Sequence, residues 1–413
     1  MVAVVYDRCC GLDVHQQTVV ACLITPGPDG QPAKEVRTFG TMTADLLELA
    51  DWLRAAACSQ VAMESTGVYW KPIWNLLEDE FALLLVNARH IKAVPGRKTD
   101  VKDCEWLADL LRHGLLRASF VPDRPQRELR ELTRYRTALV RERTAESNRL
   151  HKTLEGANLK LSSVASKLLS LSGRQILDAL LAGTTDPAVL ADLAKGRLRA
   201  KLPQLERALA GSPGLHQHFL LARQLAHIDF LDETLEQVSA EIAERLRPLE
   251  PTIERLDAIP GVGRVTAEVL LAEIGTDLSR FPSAEHLASW AGMCPGNYES
   301  AGKRQKGKTR KGSKWLRTAL VEAGQAAARK TDSYLAAQYH RLVPRLGKKK
   351  AAVAVGHSIL RSVYYLLVRE TTYQELGGNY FDERYRHRVE QRLVRRLEQL
   401  GFEVQLTPKD PAA

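Results

Sequence analysis

The chain has 413 residues, too many for one ordinary hydrophobic core, so two or three domains are expected. Its 59 lysines and arginines outweigh 49 aspartates and glutamates, and the formal net charge of +10 points to a polyanionic partner. Six cysteines without a C-x-x-C pair argue against a zinc ribbon or a disulfide scaffold, and the lack of a signal-peptide pattern or a bilayer-length apolar run predicts a cytoplasmic protein with no membrane partner.

Cys9-Cys10-Gly11-Leu12-Asp13-Val14 reads as an apolar strand interrupted by one acid, and Thr18 to Ile24 as a second, β-branched strand after a polar turn. Pro26-Gly27-Pro28-Asp29-Gly30 breaks the chain before a third short strand near Val36 to Phe39. Thr43 to Ala57 has the spacing of an amphipathic helix, Gln60 to Glu64 is a fourth strand ending on an acid, Tyr69 to Glu80 is a second helix, and Phe81 to Val86 is a fifth strand. Lys98-Thr99-Asp100-Val101-Lys102-Asp103 then opens a helix that continues through Trp106, Leu107, Leu110 and Leu111. A spacing of three puts Asp100 and Asp103 on one helix face, with Cβ atoms roughly 5–6 Å apart.

This βββαβαβα order, with acids on strand one, strand four and the last helix, is the plan of a ribonuclease-H-like fold. There those positions converge at one edge of the sheet. Singly, each acid has a bland explanation: a strand end for Asp13 and Glu64, and a dipole-compatible helix start for Asp100 and Asp103. Together they favour a metal site. Mg²⁺, or Mn²⁺ in its place, takes oxygen ligands, and paired ions about 3.5–4 Å apart stabilise both the attacking and the leaving oxygen of a phosphodiester displacement.

Past Pro122 and Pro125 the composition shifts to long polar helices. Leu129, Leu132, Leu139, Leu150 and Leu154 lie near a heptad stripe, with Arg136, Arg143 and Glu146 at intervening seam positions. Leu221, Ile228, Leu231, Leu235, Val238, Ile242 and Leu249 form a cleaner second stripe. The pair reads as an antiparallel coiled-coil hairpin or a dimerisation arm, and equally as an ordinary bundle core. Between them, residues 156–217 hold breakers at Gly156, Gly173, Gly183, Pro187, Gly196, Gly211, Pro213 and Gly214, which predict short helices.

Ile259-Pro260-Gly261-Val262-Gly263 joins two helical segments. It resembles the turn of a helix-hairpin-helix unit, in which Gly261 and Gly263 let backbone N–H groups approach a phosphate; a tight turn without a ligand has the same composition. Further on, Cys294-Pro295-Gly296-Asn297-Tyr298-Glu299-Ser300-Ala301-Gly302-Lys303 runs into Arg304, Lys306, Lys308, Arg310, Lys311, Lys314 and Arg317, with no acid among those cations. A lone serine in a small-residue loop beside many cations is a place where phosphate meets a nucleophilic hydroxyl, or only a phosphate-binding loop.

The chain resembles the insertion-sequence 110 family of DEDD recombinases, related to the Piv/MooV DNA invertases. The resemblance rests on Gly11-Leu12-Asp13-Val14-His15, on Met63-Glu64-Ser65-Thr66-Gly67-Val68-Tyr69-Trp70, on Lys98 to Asp103, on Ile259 to Gly263 and on Cys294 to Lys303, in the family's order. Gln16-Gln17 and Ala301 depart from the common pattern without removing a proposed catalytic group. The resemblance implies a RuvC-like N-terminal domain holding Mg²⁺ on Asp13, Glu64, Asp100 and Asp103, a coiled-coil arm, and a mostly helical C-terminal transposase domain with Ser300 as nucleophile. It also implies donor and target DNA as substrates, a structured bridge RNA as guide, and a setting in the prokaryotic cytosol, associated with the nucleoid.

On this basis the expected domains are residues 1–122 (RuvC-like), 123–255 (arm, with the insertion 156–217), 256–376 (transposase) and 377–413 (basic helical tail). Lys303, Arg304, Lys308, Arg310, Lys311 and Arg317 are the expected phosphate contacts. A homodimer that pairs into a tetramer on DNA is expected, in which the two halves of an active site could come from different protomers. The alternative is a metal-dependent nuclease resembling a junction resolvase, in which Ser300 only binds phosphate.

Overall fold

The computed structural model describes residues 3–28, 31–87, 103–296, 299–300, 302–304, 309 and 311–407. They divide into two compact units, 1–127 and 128–413.

The first unit is built on a five-stranded mixed sheet. Its strands are β1 (Cys9–Val14), β2 (Thr18–Pro26), β3 (Pro32–Gly40), β4 (Gln60–Glu64) and β5 (Ala82–Val86), in the order β3-β2-β1-β4-β5. The meander β1-β2-β3 is antiparallel, while β1 pairs parallel with β4 and β4 with β5. This arrangement is consistent with a DEDD or RuvC-like N-terminal domain.

Alternation along the strands sorts side chains onto two faces. Cys10, Leu12, Val14, Val61 and Met63 pack with α1 (Thr43–Ala55) and α2 (Trp70–Leu77) through Leu49, Leu53, Ile73 and Leu77. Cys9, Cys22, Ile24, Ala62 and Val86 face α3 (Asp103–Arg112) through Cys104, Leu107, Ala108 and Leu111. The third strand is longer than its apolar stretch suggested. It lies at the sheet edge with most of its side chains exposed, so its polar residues carry no alternation signal.

Gly11 is the contact that seats α3. A Cβ there would sit 2.4 Å from the Cys104 carbonyl oxygen and 2.5 Å from the Ala108 nitrogen, so the helix lies directly on the backbone of β1.

In the second unit, α4 (Arg124–Gly156) runs antiparallel to α9 (Leu215–Leu246), as the ion pairs Glu128–Arg245, Arg143–Asp232 and Glu146–His227 require. At one end Leu129 joins Ile242 and Leu246 in the C-terminal core. At the other, Leu150 and Leu154 meet Leu221, Leu225 and Ile228 in a separate core. The intervening segment does form short helices, α5 (Leu161–Val164), α6 (Leu171–Leu181), α7 (Pro187–Asp192) and α8 (Leu202–Ala208), which close that second core.

The C-terminal core is built from α10 (Glu250–Asp257), α11 (Arg264–Ile274), α12 (Ala284–Trp290), α13 (Lys314–Ala327), α14 (Tyr334–Leu346) and α15 (Lys348–Arg369). By length and composition alone α15 is apolar enough to cross a membrane, where no such run was expected, but half of its most apolar stretch is buried inside the fold. Val355, Ile359, Leu360 and Val363 of this helix are fully buried in the core. Beyond it lie α16 (Tyr380–Arg384) and α17 (Arg386–Glu398).

Two acids of α11 are buried in this core, Glu268 at 3% and Glu273 at 1% exposure. Glu268 pairs with the equally buried Arg136 at 2.6 Å, and Arg134 grips Glu273 with both nitrogens at 2.7 and 3.0 Å.

Two expectations follow. Gly11→Ala should destabilise the first unit by about 1–3 kcal/mol, because backbone rather than a yielding side chain opposes the new methyl; urea unfolding of the full chain measures it. Glu268→Ala should cost about 3–5 kcal/mol by leaving Arg136 buried and unpaired, whereas Arg136→Met combined with Glu268→Leu should restore most of that loss. Equal destabilisation in the single and double variants would show that the pair's charge is not what matters.

Candidate catalytic sites

The parallel register of β1 and β4 pairs Cys9 with Gln60 through to Leu12 with Met63. The next position on each strand carries Asp13 and Glu64, so the two acids end neighbouring strands that run about 4.8 Å apart. Alternation places both on the face that α3 covers. Asp103 is the first residue of that helix, where a carboxylate also complements the helix dipole.

The Gly11 contact with the Cys104 carbonyl sets the start of α3 against the strand that carries Asp13. Burial raises the pKa of the Cys104 thiol, and the Asp13 carboxylate raises it further. Asp13 keeps 22% of its side chain exposed, and His15 Nε2 lies 3.2 Å from its Oδ2. His15 closes the motif Gly11 to His15 but carries no role in the sequence reading, although a residue two positions beyond Asp13 is its neighbour on the same side of an extended chain.

The structure therefore brings Asp13, Glu64 and Asp103 toward one sheet face. Asp100 lies outside the described residues, and among those described no three acids, histidines or cysteines close into a metal cage. The donor set is nevertheless all oxygen and suits a hard cation. On the same face, burial pushes the Cys9 and Cys22 thiols up to about 12.

Around Ser300 the chain forms a hairpin, where a loop was expected. β6 (Glu299–Ser300) pairs antiparallel with β7 (Lys303–Arg304), Ser300 standing opposite Lys303, and Gly302 takes a φ of 73° in the turn. A bridge from Pro295 to Thr309 closes the base of this segment. Two-residue strands are too short to leave an alternation signal. Lys308 and Arg310 lie outside the described residues, and Lys311 is exposed. Arg317 donates to Thr309 Oγ1 at 2.9 Å and so holds the base of the segment.

Helix α13 follows at once, capped by Ser313, whose hydroxyl accepts from Leu316 N and donates to Glu273 Oε2 at 2.9 Å. Glu273 thus ties the end of the basic segment to Arg134 of α4. Acids inside the apolar run Val265 to Ile274 were the available signal for this network.

The two turn glycines have different reasons. Gly261, at φ 87°, would place a Cβ 2.2 Å from the Ala323 carbonyl oxygen and 2.6 Å from the Ala327 nitrogen. Packing against α13 and the positive φ both require a glycine at this position. Gly263, which caps α11, faces open space.

Comparison with known proteins agrees with these two regions. A DEDD domain of the insertion-sequence 110 family, described as "Transposase", matches residues 10–159. The domain described as "Transposase IS116/IS110/IS902 family" matches residues 253–340. A "Probable family 20 transposase" of Pseudomonas aeruginosa is 26% identical over 79% of this chain and 89% of its own length. The "Transposase for insertion sequence element IS1328" of Yersinia enterocolitica is 23% identical over 80% of this chain and 90% of its own. An "Insertion element IS110 uncharacterized 43.6 kDa protein" of Streptomyces coelicolor is 31% identical over 49% and 53%. With both domains present in order and together covering more than half of its length, the chain belongs to the IS116/IS110/IS902 family of transposases.

Proposed function

We propose that this transposase cuts and rejoins donor and target DNA by phosphodiester transesterification, with Ser300 as nucleophile and a structured bridge RNA selecting the sites. The observation that carries the reading is the placement of Asp13 and Glu64 at neighbouring positions of two parallel strands, beneath the helix that Asp103 opens. Asp13, Glu64, Asp103 and Asp100 would hold Mg²⁺, or Mn²⁺ in its place, on a RuvC-like domain. The bound cation supplies Lewis-acid stabilisation of charge on phosphate oxygens.

Ser300 Oγ attacks phosphorus as one P–O ester bond breaks, and the departing sugar oxygen takes a proton. The resulting phosphoserine keeps the energy of the broken ester, so rejoining needs no nucleotide cofactor. Lys303, Arg304, Lys308, Arg310 and Lys311 neutralise the phosphates around that serine, with Arg317 bracing the segment. Gly263 leaves the N-terminus of α11 open to a phosphate. The α4–α9 hairpin serves as a coiled-coil arm, and a homodimer pairs into a tetramer on DNA.

Asp13→Asn should abolish strand exchange while leaving the melting temperature and RNA binding close to wild type; a variant that recombines at the wild-type rate in Mg²⁺ would remove Asp13 from the site. Ser300→Ala should bind DNA and RNA yet form no protein–DNA adduct that survives boiling in detergent. Cleavage by the wild type without such an adduct, leaving hydrolysed ends that are not rejoined, would assign the chain to the nuclease reading, with water as nucleophile.

A further inference from the structure

Arginines of the long helices are mostly engaged in the fold: Arg134, Arg136, Arg143, Arg174, Arg245 and Arg264 all have carboxylate partners. Helix α17 differs. It has no buried residue, and the stretch 384–398 holds six arginines against two glutamates. Arg386 pairs with Glu390 at 3.0 Å, but among the described residues the guanidinium groups of Arg388, Arg392, Arg395 and Arg396 make no ion pair or hydrogen bond. Together with Gln391 and Gln399 they line one open groove, at offsets of three, four, seven, eight and eleven that form a single stripe of the helix.

This groove continues into a second one between α14 and the α16–α17 segment, and the two share Arg388 and Arg392. Arg341 of α14 enters the second groove, its guanidinium 5.3 Å from the Phe381 ring and 4.9 Å from the Tyr385 ring. Those aromatics are fixed in turn: Tyr334 stacks on Phe381 at 5.0 Å and meets Tyr380 edge-on at 5.2 Å. Asp382 is the single carboxylate lining either groove among the described residues. All five arginines lie beyond residue 340, where the matching family domain ends.

We infer that Arg341, Arg388, Arg392, Arg395 and Arg396 form a track that binds the phosphodiester backbone of a nucleic-acid strand. This inference rests on the nucleic-acid reading proposed above. Guanidinium groups one helical turn apart, about 5.4 Å, are spaced to meet successive phosphates, and each offers a fork of donors that suits two phosphate oxygens. A row of phosphate contacts holds and orients a strand without choosing its sequence. The chemistry is common to RNA and DNA, so the experiment must separate them.

The full-length protein and its Arg388→Gln/Arg392→Gln/Arg396→Gln variant would be titrated with labelled single-stranded RNA, single-stranded DNA and duplex DNA of one sequence over a range of KCl concentrations. For the strand that occupies the track, the slope of log K against log salt should become shallower by about 2 if it is single, at roughly 0.7 per lost contact, or by about 3 if duplex. An Arg388→Lys/Arg392→Lys/Arg396→Lys variant, which keeps the charges, should keep the wild-type slope, and the wild type and both variants should melt together because these side chains are exposed. Unchanged slopes on all three nucleic acids would overturn the track while leaving the proposed function standing. Failure of the wild type to bind any of them would overturn both. Loss of binding to anionic phospholipid vesicles with nucleic-acid slopes intact would assign the stripe to a membrane surface and also overturn the inference.

Discussion

The direct contact of α3 with β1 at Gly11 sets the geometry on which the first unit depends. With any side chain at that position the helix would ride higher by at least a methyl group, and its first residue, Asp103, would move away from the strand ends that carry Asp13 and Glu64. The strands contribute the other half of the constraint. A parallel register fixed from Cys9–Gln60 to Leu12–Met63 leaves Asp13 and Glu64 no choice of neighbour, and a slip of one residue would turn one of them to the opposite face. Two backbone facts thus set where the carboxylates stand.

The second unit solves a similar problem with charge. A buried ion pair contributes little net stability against an apolar pair of the same volume, but removing either partner is costly, so it defines position more than it strengthens the fold. Glu268 and Glu273 lie five residues apart on α11 and engage Arg136 and Arg134 of α4, two positions apart on that helix. The pairs fix how α4 lies against α11, and the Ser313 hydroxyl extends the same network to the N-terminus of α13. The segment bearing Ser300 therefore leads into a helix whose first turn is tied to the core.

Much of the first unit was legible in the sequence because its strands and helices have clean periods: four strands and the first helix fall within a residue or two of their expected bounds, and the second helix is the shorter Trp70–Leu77. The edge strand was read short because burial, not strand formation, creates the alternation signal. For the long helices the stripes were visible but the choice between hairpin and dimer was not, because the partners of Arg143 and Glu146 lie about eighty to ninety residues away at Asp232 and His227. Of the site, residue types and strand positions could be read, whereas the packing of Gly261 against α13 could not, because a helix sixty residues later leaves no mark on the local turn motif.

The structure also changes what the net charge of +10 means. A sum over the sequence treats every arginine as available to a polyanion, yet on α4 and α9 the arginines are largely neutralised by carboxylates of the same unit. Such groups contribute to the distant field, but binding phosphate with them would mean breaking a pair and stranding a carboxylate, in the buried cases at several kcal/mol. Arg317 is partly committed in the same way through Thr309. Local affinity for a backbone must come from cations that lack a protein partner, and the exposed stripe of α17 collects four of them on one helix face. Pairing, which only the fold reveals, separates the arginines that build the protein from those left to face a ligand.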